Sequence, residues 1–301
     1  MSMYVLRSSC LTVTGALLAL ASGACVAHDG DSRADGPISA EPTAAAAWTA
    51  PPVNGQFDYQ LGGAYTPAAS VQIVDRDRTA SPVTGKYNIC YLNAMQTQPD
   101  EPGQSKTNPP YGTTQWWILN HPTLLVHDAS GAIVVDSDWN EAIFDVSTAA
   151  NRDALLAIQK PWIAGCASAG FQAVEPDNLD SYARSGGAFA FGADSAYMSQ
   201  FVAYAHGQGL AVAQKNAGEE FGATGKTIGF DFAIAEECEY NNECDTYTNV
   251  YGAAVIEIEY TYYAASVYNN ACTKRGAKIS IIRRDRDVVP SGTSGYSYTS
   301  C

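Results

Sequence analysis

From Phe57 onward, short apolar runs rich in Val, Ile, Tyr and Phe return again and again, and several run straight into carboxylates. The runs are 57–61, 71–74, 87–92, 142–146, 171–174, 210–213, 230–235, 253–258 and 278–282. Most have the length and composition of strands. Helix-compatible stretches lie between several of them. Residues 148–169 put Leu155, Leu156, Ile158, Trp162 and Ile163 on a helical spacing, and 194–207 do the same with Tyr197, Phe201, Val202 and Tyr204. Asp194 is the expected N-cap of the second stretch and Gly207 its stop. Strand, helix, strand alternation implies parallel strands joined by right-handed crossovers. Eight or nine strands over about 250 residues predict an α/β fold, a (β/α)8 TIM barrel. Residues 96–140 are expected to form an elaborated loop after the third strand, with a hairpin at 124–135 around Ala129-Ser130-Gly131.

The ends of the chain bound its setting. Residues 1–27 read as a signal peptide: Arg7 precedes an uncharged run from 11 to 24 that is short for a bilayer span and ends in small residues. Cleavage after Ala27 releases a soluble protein, whereas cleavage before Cys25 leaves a cysteine for lipid attachment. The protein is therefore expected to be secreted or lipid-anchored, touching a membrane only through that lipid. Residues 28–52 are rich in Ala, Pro, Asp and Ser and read as a disordered tether, leaving 53–301 as the folded domain.

Export agrees with the cysteines. Setting aside Cys10 and Cys25, six remain, an even number for an oxidising compartment. Cys238 and Cys244 are close enough to close a small loop. Cys90, Cys166, Cys272 and Cys301 leave three pairings open. Scattered histidines and the absence of Cys-x-x-Cys argue against a zinc site, and no Gly-x-Gly-x-x-Gly or phosphate loop occurs, so no metal or cofactor is expected. A formal net charge of −14 argues against nucleic acid as a partner and suits a cationic polymer.

In a parallel barrel the C-terminal strand ends face the active site, so polar residues ending apolar runs are the ones to inspect. Asp75 and Asp77 follow Val74; Asp145 follows Phe144; Glu175, Asp177 and Asn178 follow Val174; Glu236 and Glu237 follow Ala235. Lys215 and Asn216 end another run, and Ile256 leads to Glu257 and Glu259. The expectation is an acid-lined mouth. Glycoside hydrolysis needs such a set, because one carboxyl protonates the leaving oxygen while another, ionised, stabilises or attacks the sugar carbon.

Glu175-Pro176-Asp177-Asn178, Lys215-Asn216, and the block running from Phe230-Asp231-Phe232-Ala233 through Glu236-Glu237-Cys238 to Glu243-Cys244 together resemble glycoside hydrolase family 114. Phe57-Asp58-Tyr59-Gln60-Leu61 and Asn88-Ile89-Cys90-Tyr91 extend the resemblance towards the N-terminus. It implies an endo-α-1,4-polygalactosaminidase-like enzyme, acting as a monomer on a cationic amino-sugar polysaccharide. The same resemblance puts the catalytic acids at Asp177 and Glu236, Asp177 as nucleophile and Glu236 as acid/base if configuration is retained. It implies sugar contacts from Asp77, Glu175, Asn178, Asp180, Lys215, Asn216 and Tyr240, with a Cys238–Cys244 disulfide holding the loop after Glu236. Trp116, Trp117, Tyr182, Tyr240 and Tyr247 are aromatic candidates for stacking on sugar faces. Ala235 stands where the family usually has Asn, and the 96–140 insertion is unlike its simplest members. Both departures keep in view a non-catalytic carbohydrate-binding or assembly lipoprotein, and, because resemblance of fold does not fix substrate, a hydrolase of another polysaccharide is a further alternative.

Overall fold

The computed structural model describes residues 47–301. The expected signal, the lipid site at Cys25 and tether residues 28–46 lie outside the described residues. Eight parallel strands form the barrel wall: β1 (Phe57–Tyr59), β2 (Ile73–Asp77), β3 (Tyr87–Asn93), and, after a small hairpin of β4 (Val135–Asp136) and β5 (Glu141–Ala142), β6 (Ala173–Asp177), β7 (Ala211–Lys215), β8 (Phe232–Glu236), β9 (Val255–Tyr260) and β10 (Ser280–Arg284). They neighbour one another in chain order, and β11 (Tyr298–Ser300) adds an antiparallel strand to β10. At the seam between β1 and β10, Ser280 Oγ donates to the Gly55 carbonyl at 2.7 Å and Tyr298 OH to the Phe57 carbonyl at 2.7 Å, so the sheet nearly closes.

The two-residue period of each strand divides its side chains between two cores. Phe57, Ile73, Ile89, Phe232, Ile256 and Ile282 fill the barrel interior. Leu92, Val174, Val212, Ala233 and Ala235 point outward into a second core beneath the helices. The helix expected at 148–169 is α2 (Ala149–Ala169), after the short α1 (Thr114–Asn120). Thr148 Oγ1 accepts from the Asn151 amide at its start, and Gly170, at φ 99°, supplies the left-handed turn that ends it.

The structure corrects four readings. The second helix, α3 (Phe191–Gly207), starts three residues earlier than Asp194, because Phe191 packs edge-on against Phe221 and Tyr182 and draws the first turn into the core. Asp194 lies inside that turn, its Oδ2 accepting from the Tyr182 amide at 2.9 Å. Residues 142–146 are not a barrel strand. They belong to the insertion, where Gln96 pairs with Ile143 and Leu125 with Phe144 antiparallel, and Phe144 is buried against Trp117. Asp145 accordingly accepts from the Ser147 amide and does not face the mouth. The fold also begins before residue 53: Trp48 stacks on His206 with ring centroids 3.8 Å apart and donates its indole N–H to Asp231 at 2.9 Å.

The hairpin expected at 124–135 is present, with His127 opposite Ile133 and Asp128 accepting from the Ser130 and Ala132 amides. Disulfides join Cys238 to Cys244, Cys90 to Cys166 and Cys272 to Cys301. The first is the one expected. The second ties β3 to α2, and the third ties α4 (Ala265–Arg275) to the residue that follows β11.

Candidate active site

Three successive strands deliver the central side chains by one device. β6, β7 and β8 end at Asp177, Lys215 and Glu236, all inward-facing, and the next residue of each adopts a left-handed backbone: Asn178 at φ 64°, Asn216 at φ 49° and Glu237 at φ 60°. Asn enters this region more readily than other residues with a side chain. The abrupt turn leaves the last strand residue standing at the rim.

Lys215 is the hub of the group they form. Its ammonium lies 3.2 Å from Glu175 Oε1, 3.4 Å from Asp177 Oδ2 and 3.2 Å from Glu236 Oε2, and donates to Tyr59 OH at 3.1 Å. Burial alone would depress this ammonium, but Asp177, Glu175 and Glu236 reverse the effect and hold it well above the ordinary lysine range. Asp177 is further fixed by Tyr91 OH, donating to Oδ2 at 2.9 Å, and by the Asn178 amide, donating to Oδ1 at 2.8 Å. Asn216 clasps Glu236 from two sides: its Nδ2 donates to Oε2 at 2.8 Å, and its Oδ1 accepts from the Glu236 amide at 2.8 Å. Tyr260 OH donates to Glu236 Oε1.

Asp177, Glu236, Asp77, Asn178, Asp180, Lys215 and Asn216 all line one cavity of about 560 Å3. A neighbouring cavity of about 410 Å3 shares Glu236, Asn216 and Tyr260 and adds Glu219, Glu220, Glu237 and Glu243. Two expected sugar contacts fall elsewhere. Glu175 is fully buried below the cavity floor, where Tyr59 OH donates to it at 3.2 Å. Tyr240 stacks on Tyr263 and lines neither cavity. Glu257 and Glu259 also leave the mouth, because their parity on β9 turns them outward: Glu257 pairs with Arg275, and Glu259 accepts from the Glu239 amide. Trp117 is core, and neither Trp116 nor Tyr182 lines a cavity, whereas Tyr247 lines the second one. Ala235 faces the outer core, so this departure from the family pattern lies off the cavity. The Cys238–Cys244 bond does close the loop just after Glu236.

Several site residues escaped the sequence reading. Tyr59, Tyr91 and Tyr260 surround Lys215 and Glu236, and strand parity was the signal for all three, since each lies two residues beyond an inward apolar side chain: Phe57, Ile89 and Ile258. Asp75 is buried inside the barrel beside Glu175, and burial together with Glu175 pushes it well above the ordinary carboxyl range. The insertion supplies Glu141, whose Oε2 accepts from Asn93 Nδ2 at 2.7 Å and Asn178 Nδ2 at 3.3 Å. Burial pushes Glu141 up to about 8, with Asp177 and Asp136 acting in the same direction and the Asn93 hydrogen bond opposing them. Trp139 and Arg286 project from loops at the rim.

Comparison with known proteins places this geometry. Among solved structures, Ega3 of Aspergillus fumigatus in complex with galactosamine is 21% identical and superposes with a TM-score of 0.63 over 85% of this chain and 99% of that chain. The glycoside hydrolase domain of PelA from Pseudomonas aeruginosa, determined as a single-residue variant, is 14% identical, with a TM-score of 0.53 over 79% of this chain and 98% of that chain. These are likenesses of fold. Comparison with curated proteins gives no match. The sequence profile of Glycoside-hydrolase family GH114 matches residues 38–301, the whole folded domain and the second half of the expected tether. With that span matched, and a nearly closed barrel carrying carboxylates at its strand ends, the chain belongs to Glycoside-hydrolase family GH114.

Proposed function

We propose that this glycoside hydrolase cleaves within an α-1,4-linked, galactosamine-containing polysaccharide, with Asp177 as nucleophile and Glu236 as acid/base. The observation that carries this reading is the single buried ammonium of Lys215 held between the two carboxylates. Its distances to Asp177 Oδ2 and Glu236 Oε2 limit the separation of those oxygens to about 6.6 Å at most. That bound is compatible with the retaining geometry of ~5–5.5 Å, on which the proposed sequence is built.

In the retaining sequence, Asp177 attacks the anomeric carbon while Glu236 gives its proton to the departing glycosidic oxygen, and a glycosyl ester forms on Asp177. Glu236 then takes a proton from water, whose oxygen attacks the same carbon and releases Asp177. Lys215, Tyr91 and the Asn178 amide hold Asp177 in place; Asn216 and Tyr260 hold Glu236. The acidic lining of both cavities suits an amino sugar bearing an ammonium group, and the similar fold of Ega3 was determined with galactosamine bound. Asp77, Asn178, Asp180 and Asn216 are the proposed polar contacts to that sugar. The protein acts outside the cytoplasm as a monomer, released or lipid-anchored at Cys25; its three disulfides belong to an oxidising compartment.

The test is reducing-end release from partly deacetylated α-1,4-polygalactosamine, with NMR of the first product formed. The α-anomer is expected. The β-anomer would overturn the retaining assignment, and no release by the wild type would overturn the substrate.

A further inference from the structure

Cations are few in this acidic mouth, and all but one of them are already committed. Lys215 serves three carboxylates, and Arg184 is bonded to Asp136 at 2.9 Å and Asp180 at 2.8 Å. Among the described residues, the remaining cation lining the cavities, Arg286, makes no salt bridge. Its guanidinium instead lies over the Trp139 ring, 4.9 Å from its centroid, and 5.8 Å from that of Tyr262. Three rim loops meet at this stack: Trp139 on the turn between β4 and β5, Tyr262 just after β9 and Arg286 just after β10. Trp139 and Arg286 line both cavities, as Glu236 does, so the stack stands where the two meet.

We propose that Trp139 and Arg286 read N-acetylation, so that the sugar lying against this stack is an N-acetylated, uncharged residue while the outer acid-lined positions accept free ammonium groups. The inference rests on the amino-sugar reading of the same site. A guanidinium remains charged throughout the working pH range and repels an ammonium brought against it. An acetamide reverses the balance. Its carbonyl oxygen accepts from the guanidinium N–H groups, and its methyl packs on the exposed indole face. Outside the stack the sign changes: Glu219, Glu220, Glu237 and Glu243 line the second cavity, where Arg286 is the sole basic residue among those described. The stack thus sets a position-dependent demand on the polymer, one neutral sugar beside the scissile bond and cationic sugars farther out.

The test uses α-1,4-galactosamine oligomers of equal length, fully N-acetylated or partly deacetylated, with wild type, Arg286→Gln and Arg286→Lys. Arg286 is exposed, so these variants are expected to fold. Mass spectrometry of the products from wild type should show an acetylated sugar at one fixed position beside the cut. Arg286→Gln should lose that pattern and lower the ratio of kcat/KM on acetylated over deacetylated oligomer about tenfold, whereas Arg286→Lys, which keeps the charge, should retain most of it. An unchanged pattern in Arg286→Gln, or a lysine variant that behaves like the glutamine one, would overturn the inference and leave the substrate intact. Failure of the wild type to cut either oligomer would overturn the substrate reading and this inference with it.

Discussion

Two groups of buried carboxylates face opposite sides of the same sheet, and they are neutralised in different ways. On the outer side Arg275 bonds both oxygens of Glu257 at 2.9 Å and Glu239 Oε2 at 2.8 Å, while Lys274 takes Glu239 Oε1. Glu239 and Glu257 meet two cations there beneath α4, while neighbouring Glu259 has no cation and is pushed up to about 7 by burial. On the inner side one ammonium, Lys215, serves Glu175, Asp177 and Glu236, with Asp75 alongside. That group carries surplus negative charge and opens onto the cavity. Burial does not separate them, since Glu175 and Glu257 are equally inaccessible. What separates the two groups is access to the cavity: Asp177 and Glu236 line it, and Glu257 and Glu259 do not.

The comparison breaks most visibly at its two cations. Lys215→Met leaves Glu175 and Asp177 without their partner and should cost about 3–5 kcal/mol in urea unfolding, together with nearly all activity. A loss under about 1 kcal/mol would show that the inner group tolerates its charge without Lys215. Arg275→Met should cost about 3 kcal/mol while the folded fraction keeps its turnover. Adding Glu257→Leu should recover most of that stability, because a well-packed apolar pair replaces a buried ion pair at little cost.

Two smaller effects sharpen the contrast. The Cys238–Cys244 bond closes a loop that starts two residues after Glu236 of the inner group and contains Glu239 of the outer one. Replacing both cysteines by Ala should cost about 2 kcal/mol, the loop-entropy value for so short a ring. Glu141 sits on the inner side and is held by side-chain amides. Its folded pKa, about 8, lies above its unfolded value, so the native state binds the extra proton and stability falls as pH rises from the ordinary Glu range towards 8. Glu141→Gln removes that slope. Its melting temperature relative to wild type should rise between pH 5 and pH 8 by about 7 °C, and parallel curves would contradict the assignment.

Much of this was legible in the chain. The barrel, the 148–169 helix, the rim position of the insertion and the meeting of Asp177, Lys215, Asn216 and Glu236 all follow from apolar runs and what ends them. The errors have a common cause. A run of acids after a strand does not reveal which side each acid faces, and parity decides it: Asp177 and Glu236 share the inward register of Ala173 and Ile234, whereas Glu257 and Glu259 alternate with inward Ile256 and Ile258. Residues 142–146 have a strand's composition, yet the insertion buries them against Trp117, a tertiary contact that local pattern does not encode. Nor did sequence separation indicate that Trp139 meets Arg286.

The central claim is that the inner group, which opens onto the cavity, and not the outer one held by Arg275, performs hydrolysis. The direct measurement is the initial rate of reducing-end release from partly deacetylated α-1,4-polygalactosamine by wild type, Asp177→Asn, Glu236→Gln and Glu257→Gln, each normalised to folded protein. Asp177→Asn and Glu236→Gln should each fall about 10²–10⁴-fold, while Glu257→Gln stays within about threefold of wild type. Rates for the two inner variants within a few fold of wild type, or a collapse confined to Glu257→Gln, would contradict the account.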